Sequence, residues 1–207
     1  MPRERQWQVR RQDGERRCDV ESSLPRRVVV LGVTGAGKST LAARIAALVG
    51  AEHLELDSLN HGPNWTPRPA EEFARGVEEF ARRPKWVFDG NYVERTSDGL
   101  WPRADLVVWL DLPLSVVLPR IIRRTVLRIV RRTELWNGNR EHFSALFGRY
   151  SLLVWAVRSH RRYRSELPVR LGELTVAGVR VVRLRSTVAV DGWLAELTAQ
   201  ARPIGRA

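Results

Sequence analysis

Lysine is almost missing from this chain. Of 35 basic residues among 207, only Lys38 and Lys85 are lysines, so 33 are arginines. That scarcity excludes one class at once. A GTPase switch reads its base with Asn-Lys-x-Asp, but Lys38 follows Gly37 and Lys85 follows Pro84. Cysteine occurs once, as Cys18, so no internal disulfide can form and a reducing compartment, the cytoplasm, is expected. The longest apolar stretch, Leu106 to Leu118, is short and broken by Asp111, so no membrane span is expected. The N-terminus has no apolar signal-peptide core, and Glu4, Asp13, Glu15, Asp19 and Glu21 argue against a transit peptide. The four histidines, His53, His61, His142 and His160, lack metal-ligand spacing, so no zinc site is assigned.

Hydrophobic residues make up 43% of the chain, enough to bury the core of one compact domain. Residues 1–26 are polar and aperiodic and read as a flexible basic tail; 199–207 read as a second tail. Between them, short β-branched runs alternate with helical periods. Strands are expected at Val28–Leu31, Glu52–Leu56, Trp86–Phe88, Leu106–Leu110 and Val179–Leu184. Helices are expected at Lys38–Val49, Pro69–Arg83, Leu114–Arg132, Glu141–Arg164 and Val190–Thr198, with Pro119 delaying or kinking the third. This alternation implies an α/β domain over 27–198, a parallel sheet covered on both faces.

Gly32-Val33-Thr34-Gly35-Ala36-Gly37-Lys38-Ser39 fits the phosphate-loop pattern G-x-x-x-x-G-K-[ST] at every position, with a strand before and a helix after. Glycines let the backbone curl so that its N–H groups face phosphate oxygens, and the helix start adds its dipole. Gly32, Thr34, Gly35, Ala36, Gly37, Lys38, Ser39 and Thr40 are therefore the expected nucleotide-binding residues. Lys38 would reach the outer phosphates, and Ser39 would ligate Mg²⁺. The chain is too short for a helicase or AAA motor, which leaves a compact phosphoryl-transfer enzyme using ATP and Mg²⁺.

In a parallel sheet, ligands bind beyond the carboxyl ends of strands. In "HLELDSLNHGPNW" a strand ends on Asp57, which orients an acceptor hydroxyl or helps hold Mg²⁺, or else caps the next turn. Trp65 either stacks on a base or sugar or covers local core. In "WVFDGNYVER" a strand ends on Asp89, the candidate Mg²⁺ carboxylate opposite Ser39, or else an ordinary Asp-Gly turn. Asn91, Tyr92 and Arg95 follow, where an acceptor would sit. Asp111 ends another strand and ranks below Asp89 for the metal.

Charge is concentrated: Pro119 to Arg170 holds 13 arginines and three acids, a net +10 of the chain's +12. The arginines of Leu114–Arg132 fall on one half of a helix. The stretch 113–168 reads as a helical lid, with Arg120, Arg124 and Arg140 turned toward the phosphates; the bland alternative is a solvated basic face.

The phosphate loop, "LDSL" with a downstream Trp, "DGNY" and the late "RLRS" of Arg183–Ser186 resemble adenylate-kinase-like P-loop kinases. Within them the chain is similar to bacterial FlaR-like proteins, described as DNA topology modulation proteins. The resemblance implies a three-layer, nucleotide-kinase-like P-loop NTPase with a five-stranded parallel sheet in order 2-3-1-4-5. It also implies Arg185 beside the adenine. Asn91-Tyr92 replace the phosphate-gripping residues of adenylate kinases, which leaves a monophosphate acceptor open, with Arg95 as the substitute. The expected function is phosphoryl transfer from ATP to a small acceptor, a nucleotide or nucleoside, by a monomer or homodimer. The alternative is a nucleic-acid-associated ATPase or regulator that uses the +10 segment as its DNA or RNA footprint.

Overall fold

The computed structural model describes residues 24–148 and 151–201. Most of the expected N-terminal tail, with Cys18, lies outside the described residues. Leu24 packs against the core, and the Arg26 carbonyl accepts a hydrogen bond from the Trp86 N–H (2.9 Å), so the domain begins slightly before residue 27.

Five strands form one parallel sheet in the order β2-β3-β1-β4-β5: β1 (Arg27–Gly32), β2 (Glu52–Glu55), β3 (Trp86–Asp89), β4 (Leu106–Leu110) and β5 (Arg180–Leu184). Val28, Val29, Val30 and Leu31 of β1 are buried on both faces, as are all five residues of β4. Each such aliphatic side chain contributes about 1.5–3 kcal/mol on burial. This is why these strands read as unbroken apolar runs rather than alternating ones. The helices are α1 (Lys38–Val49), α2 (Leu56–Asn60), α3 (Ala70–Ala81), α4 (Val93–Thr96), α5 (Leu114–Val130), α6 (Leu152–Val176) and α7 (Thr187–Ala201). After β1 the chain steps to one side of the sheet for β2 and β3, then to the other for β4. The carboxyl end of β1 is thus a topological switch point, where such sheets form clefts.

Several boundaries differ from expectation. β2 stops at Glu55, and Asp57 lies in the first turn of α2 rather than at a strand end. The helix expected at 141–164 is displaced: Phe143–Leu146 is a 3-10 turn, Gly148 takes φ 84°, and α6 starts after Ser151, whose Oγ accepts from the Val154 N–H. It then runs through Pro168 to Val176, past the expected lid boundary, because Tyr163, Leu167, Leu171 and Leu174 keep one face buried. Pro119 does not delay α5, which begins directly after Pro113. Buried Val117, Ile121 and Thr125, one turn apart, hold it across the missing proline N–H. α7 continues to Ala201, so residues 199–201 are helix, not tail.

Candidate active site

The loop from Val33 to Gly37 leaves the end of β1 and enters α1. Gly35 takes φ 77°, and a Cβ there would lie 2.5 Å from Ile121 Cγ1 and 3.0 Å from the Val117 carbonyl. Only glycine meets both the left-handed backbone and the close approach of α5. Lys38 is 9% exposed, and its Nζ donates to the Val33 carbonyl (3.3 Å), curling over the loop. Burial pushes its pKa below 10.5, with Asp89 and Asp57 opposing the shift. A desolvated ammonium beside the free N–H groups of a helix start is an anion site.

Ser39 Oγ donates to Asp89 Oδ1 (3.2 Å), and His53 Nε2 lies 2.6 Å from Asp89 Oδ2. Parallel register sets Glu55 of β2 beside Asp89 of β3. Burial first, and then the Asp89 charge, raise the Glu55 pKa. Hydroxyl and carboxylate oxygens are hard ligands suited to Mg²⁺. Among the described residues no three His, Cys, Asp or Glu side chains form a metal cluster. A cation here would therefore depend on Ser39, water and phosphate oxygens, with Asp89 behind them. Asp111 is engaged elsewhere, by Arg164 (2.7 Å) and Arg183 (2.7 Å).

The loop opens into a cavity of about 910 Å³. At its phosphate end, Arg120 Nη1 donates to the Ala36 carbonyl (3.4 Å) and Arg124 Nη2 to Thr34 Oγ1 (3.2 Å). Burial, and then Arg128, lower the Arg124 pKa. At the far end Tyr92 OH donates to Asp57 Oδ1 (2.8 Å). Burial and the Asp57 charge raise the Tyr92 pKa, so the phenol keeps its proton and stays a donor. Asn91 lines the same wall, its carbonyl held by Tyr163 OH (2.8 Å).

The roof at this end is a clasp between two loops. Asn139 Oδ1 accepts from the Trp65 N–H (2.8 Å), and its Nδ2 donates to the carbonyls of Gly62 (2.9 Å) and Trp136 (2.8 Å). Trp65 Nε1 donates to the Arg140 carbonyl (3.3 Å), and Asn137 Nδ2 to the His61 carbonyl. His61 meets Trp65 edge-on and stacks on Trp136.

The structure thus brings Lys38, Ser39, Asp57, Trp65, Asn91, Tyr92, Arg120, Arg124 and Arg140 to one cavity, together with Thr34, Gly35, Gly37 and Thr40 of the loop. Five candidates do not line it: Gly32 and Ala36 belong to the loop but lie behind its surface, Asp89 is buried behind Ser39, and Arg95 and Arg185 are directed elsewhere. Arg95 turns away to Asn60 Oδ1 (2.9 Å) and lies over Phe73. Arg185 sits 3.8 Å from Asp111 and does not line the cavity. Arg140 lines it with a half-exposed side chain, 3.6 Å from Glu134. Sequence reasoning singled out none of Glu55, His61, Arg128, Trp136, Asn139 and Glu141, although the last four fall within the expected 113–168 lid. The detectable signals were the paired Asn-Trp loops, "PNW" and "WNGN", and the placement of Glu55 one strand from Asp89.

No protein-family model matches this sequence, and no curated protein does. Solved structures do. A gluconokinase from Sinorhizobium meliloti 1021 is 23% identical, with a TM-score of 0.52 over 86% of this chain and 92% of its own. A shikimate kinase from Bacteroides thetaiotaomicron is 13% identical, with a TM-score of 0.50 over 84% of this chain and 97% of its own. At these identities the likeness is one of fold: the chain has the P-loop NTPase α/β architecture.

Proposed function

We propose that the chain transfers the terminal phosphoryl group of ATP to a hydroxyl of a small molecule. The observation that carries this reading is the shared cavity. A phosphate loop with Lys38 and Ser39 faces the Asp57–Tyr92 pair under a roof of arginines. The gluconokinase and shikimate kinase folds, whose names describe transfer to small hydroxyl compounds, agree with it.

In this reading the loop amides and Lys38 hold the β- and γ-phosphates. Ser39, with Asp89 behind it, would hold Mg²⁺, which supplies charge neutralisation across those oxygens. Asp57 takes the proton of the attacking hydroxyl while Tyr92 fixes the carboxylate's orientation. The hydroxyl oxygen bonds to the γ-phosphorus as the bond to the bridging oxygen breaks, and ADP leaves. Arg120 and Arg124 already point at the loop, where the charge of the transferring group spreads. The 113–168 stretch acts as the lid, and the clasp at Asn139 excludes water, a competing acceptor. The adenylate-kinase resemblance contributes the phosphate loop to this reading and no more. Within it the acceptor class stays with hydroxyl compounds such as nucleosides, and the nucleic-acid reading gains no contact that favours it.

The test is Lys38→Ala. Turnover should fall by about 10²–10³-fold or more while the thermal midpoint is retained. Normal turnover in a folded variant would refute the assignment. Calorimetry with a non-hydrolysable ATP analogue checks the binding step separately.

A further inference from the structure

We infer that the phosphoryl acceptor is an uncharged ring compound bearing several hydroxyl or amino groups, not a phosphorylated or carboxylated one. The inference rests on the phosphoryl-transfer reading and specifies its second substrate.

The two ends of the cavity carry opposite unfilled hydrogen-bonding capacity. At the phosphate end, the buried cavity atom without a partner among the described residues is a donor, Arg124 Nε. At the Asp57 end such atoms are acceptors. Glu141 Oε2 is one: its side chain is only 7% exposed, and its other oxygen is held by Arg128 at 2.7 Å. Asn91 Oδ1 is another. His61 Nδ1 is the third. It accepts in the tautomer whose Nε2–H faces Tyr92 OH (3.5 Å), the pairing that matches a phenol already donating to Asp57. A buried polar atom left unpaired costs about 1–3 kcal/mol, so the ligand that belongs here brings donors. Hydroxyls and amines are donors. A phosphate or carboxylate brings only further acceptors.

Charge points the same way. A phosphate or carboxylate needs a free arginine fork. Arg128 is neutralised by Glu141, and Arg95 is turned out to Asn60. Arg140 leans to Glu134 at 3.6 Å with its side chain half in solvent, while Arg120 and Arg124 are directed to the phosphate loop. The Asp57 carboxylate meets a neutral phenol rather than a cation. The walls around it are rings, His61, Trp65, Tyr92 and Trp136, which pack on the flat face of a base or the C–H face of a sugar.

The test measures ADP release from Mg·ATP by the full chain. The candidate acceptors are nucleosides, neutral sugars, nucleoside monophosphates, and hydroxy acids including gluconate and shikimate. A nucleoside or neutral sugar should raise ADP release at least about tenfold over the acceptor-free rate, and which of the two does so identifies the ring. Glu141→Gln should then raise the KM for that compound about tenfold, a loss of about 1.4 kcal/mol, with the KM for ATP changed less than about twofold. A purely structural role for Glu141 would move both constants or neither. The inference is overturned if a monophosphate or hydroxy acid is the best acceptor, or if no neutral compound acts. Calorimetry separates the two levels. Uptake of the ATP analogue with no neutral acceptor sinks this inference alone, whereas no uptake sinks the phosphoryl-transfer reading beneath it.

Discussion

Replacing Asn139 with alanine should open the roof of the cavity without unfolding the domain. Asn139 is 3% exposed, and its amide makes three bonds, one to the Trp65 N–H and two to the carbonyls of Gly62 and Trp136. A typical net value is about 1 kcal/mol per bond. Trp65 is 36% exposed, so water can reach part of the freed backbone and the full sum of about 3 kcal/mol is an upper bound. A loss of about 2–3 kcal/mol corresponds to about a 30- to 150-fold rise in local opening. Hydrogen–deuterium exchange read by mass spectrometry on peptides covering 61–67 and 134–140 should show that rise. Peptides from β1 and β4, buried in the sheet, should be unchanged. Asn139→Asp keeps the oxygen that accepts from Trp65 but sets a buried carboxylate oxygen against the Gly62 and Trp136 carbonyls, so it should open the roof at least as much as alanine does. If exchange in both loop peptides stays within about threefold of the parent, the clasp is not held by this side chain and the reasoning fails.

Two further outcomes follow from the same geometry. Gly35→Ala places a Cβ 2.5 Å from Ile121 Cγ1 on a backbone at φ 77°, so chemical denaturation should report a loss of about 2–4 kcal/mol. Gly99→Ala, with nothing within 4 Å of its Cβ, should stay within about 0.5 kcal/mol, and equal effects at the two sites would contradict the packing argument. Glu55 is held above its ordinary 4.5 by burial and by Asp89, so the folded state binds that proton more tightly than the unfolded chain. Its contribution is full below pH 4.5 and is lost as pH rises through the raised value. Glu55→Gln should therefore gain stability relative to the parent between about pH 4 and pH 7 in urea titrations, and a pH-independent difference would refute the shift.

The phosphate half of the site was legible because its chemistry is local. A backbone curled around phosphate demands glycines, one lysine and one hydroxyl within eight consecutive positions, Gly32 to Ser39. The sheet was legible for a similar reason: strands buried on both faces must be apolar throughout, as Val28–Leu31 and Leu106–Leu110 are. The far half was not, because it is assembled across the chain. Asp57 takes its partner from Tyr92, and Trp65 takes its anchor from Asn139, 74 positions away. Arg95 shows the same limit in reverse. Its position after "DGNY" suggested a ligand, yet the turn of α4 aims it at Asn60. Helix α6 began late because Gly148 and the Ser151 cap outweighed the apolar pattern upstream.

The arginine helix separates what periodicity can and cannot say. Its pattern placed six arginines on one half of the helix expected at Leu114–Arg132, of which Arg120, Arg123, Arg124 and Arg128 lie within α5, but did not divide their work. Arg120, Arg124 and Arg128 stand one turn apart, so along about 12 Å of axis a single edge of α5 passes from the phosphate loop to the Asp57 end. Arg120 and Arg124 contact the loop, and Arg128 meets Glu141. The same edge therefore delivers free guanidinium where phosphate charge gathers and neutralised guanidinium where the acceptor sits. Arg123 and Arg131 do not line the cavity; they line a second, shallower groove that Arg120, Arg124 and Arg128 also border. A nucleic-acid footprint would have to be made largely from such outward residues. The salt dependence of ATP-analogue binding is then expected to weaken with Arg124→Gln and to persist with Arg123→Gln. The opposite ranking would mean that the outward arginines, not the cavity edge, govern the protein's affinity for anions.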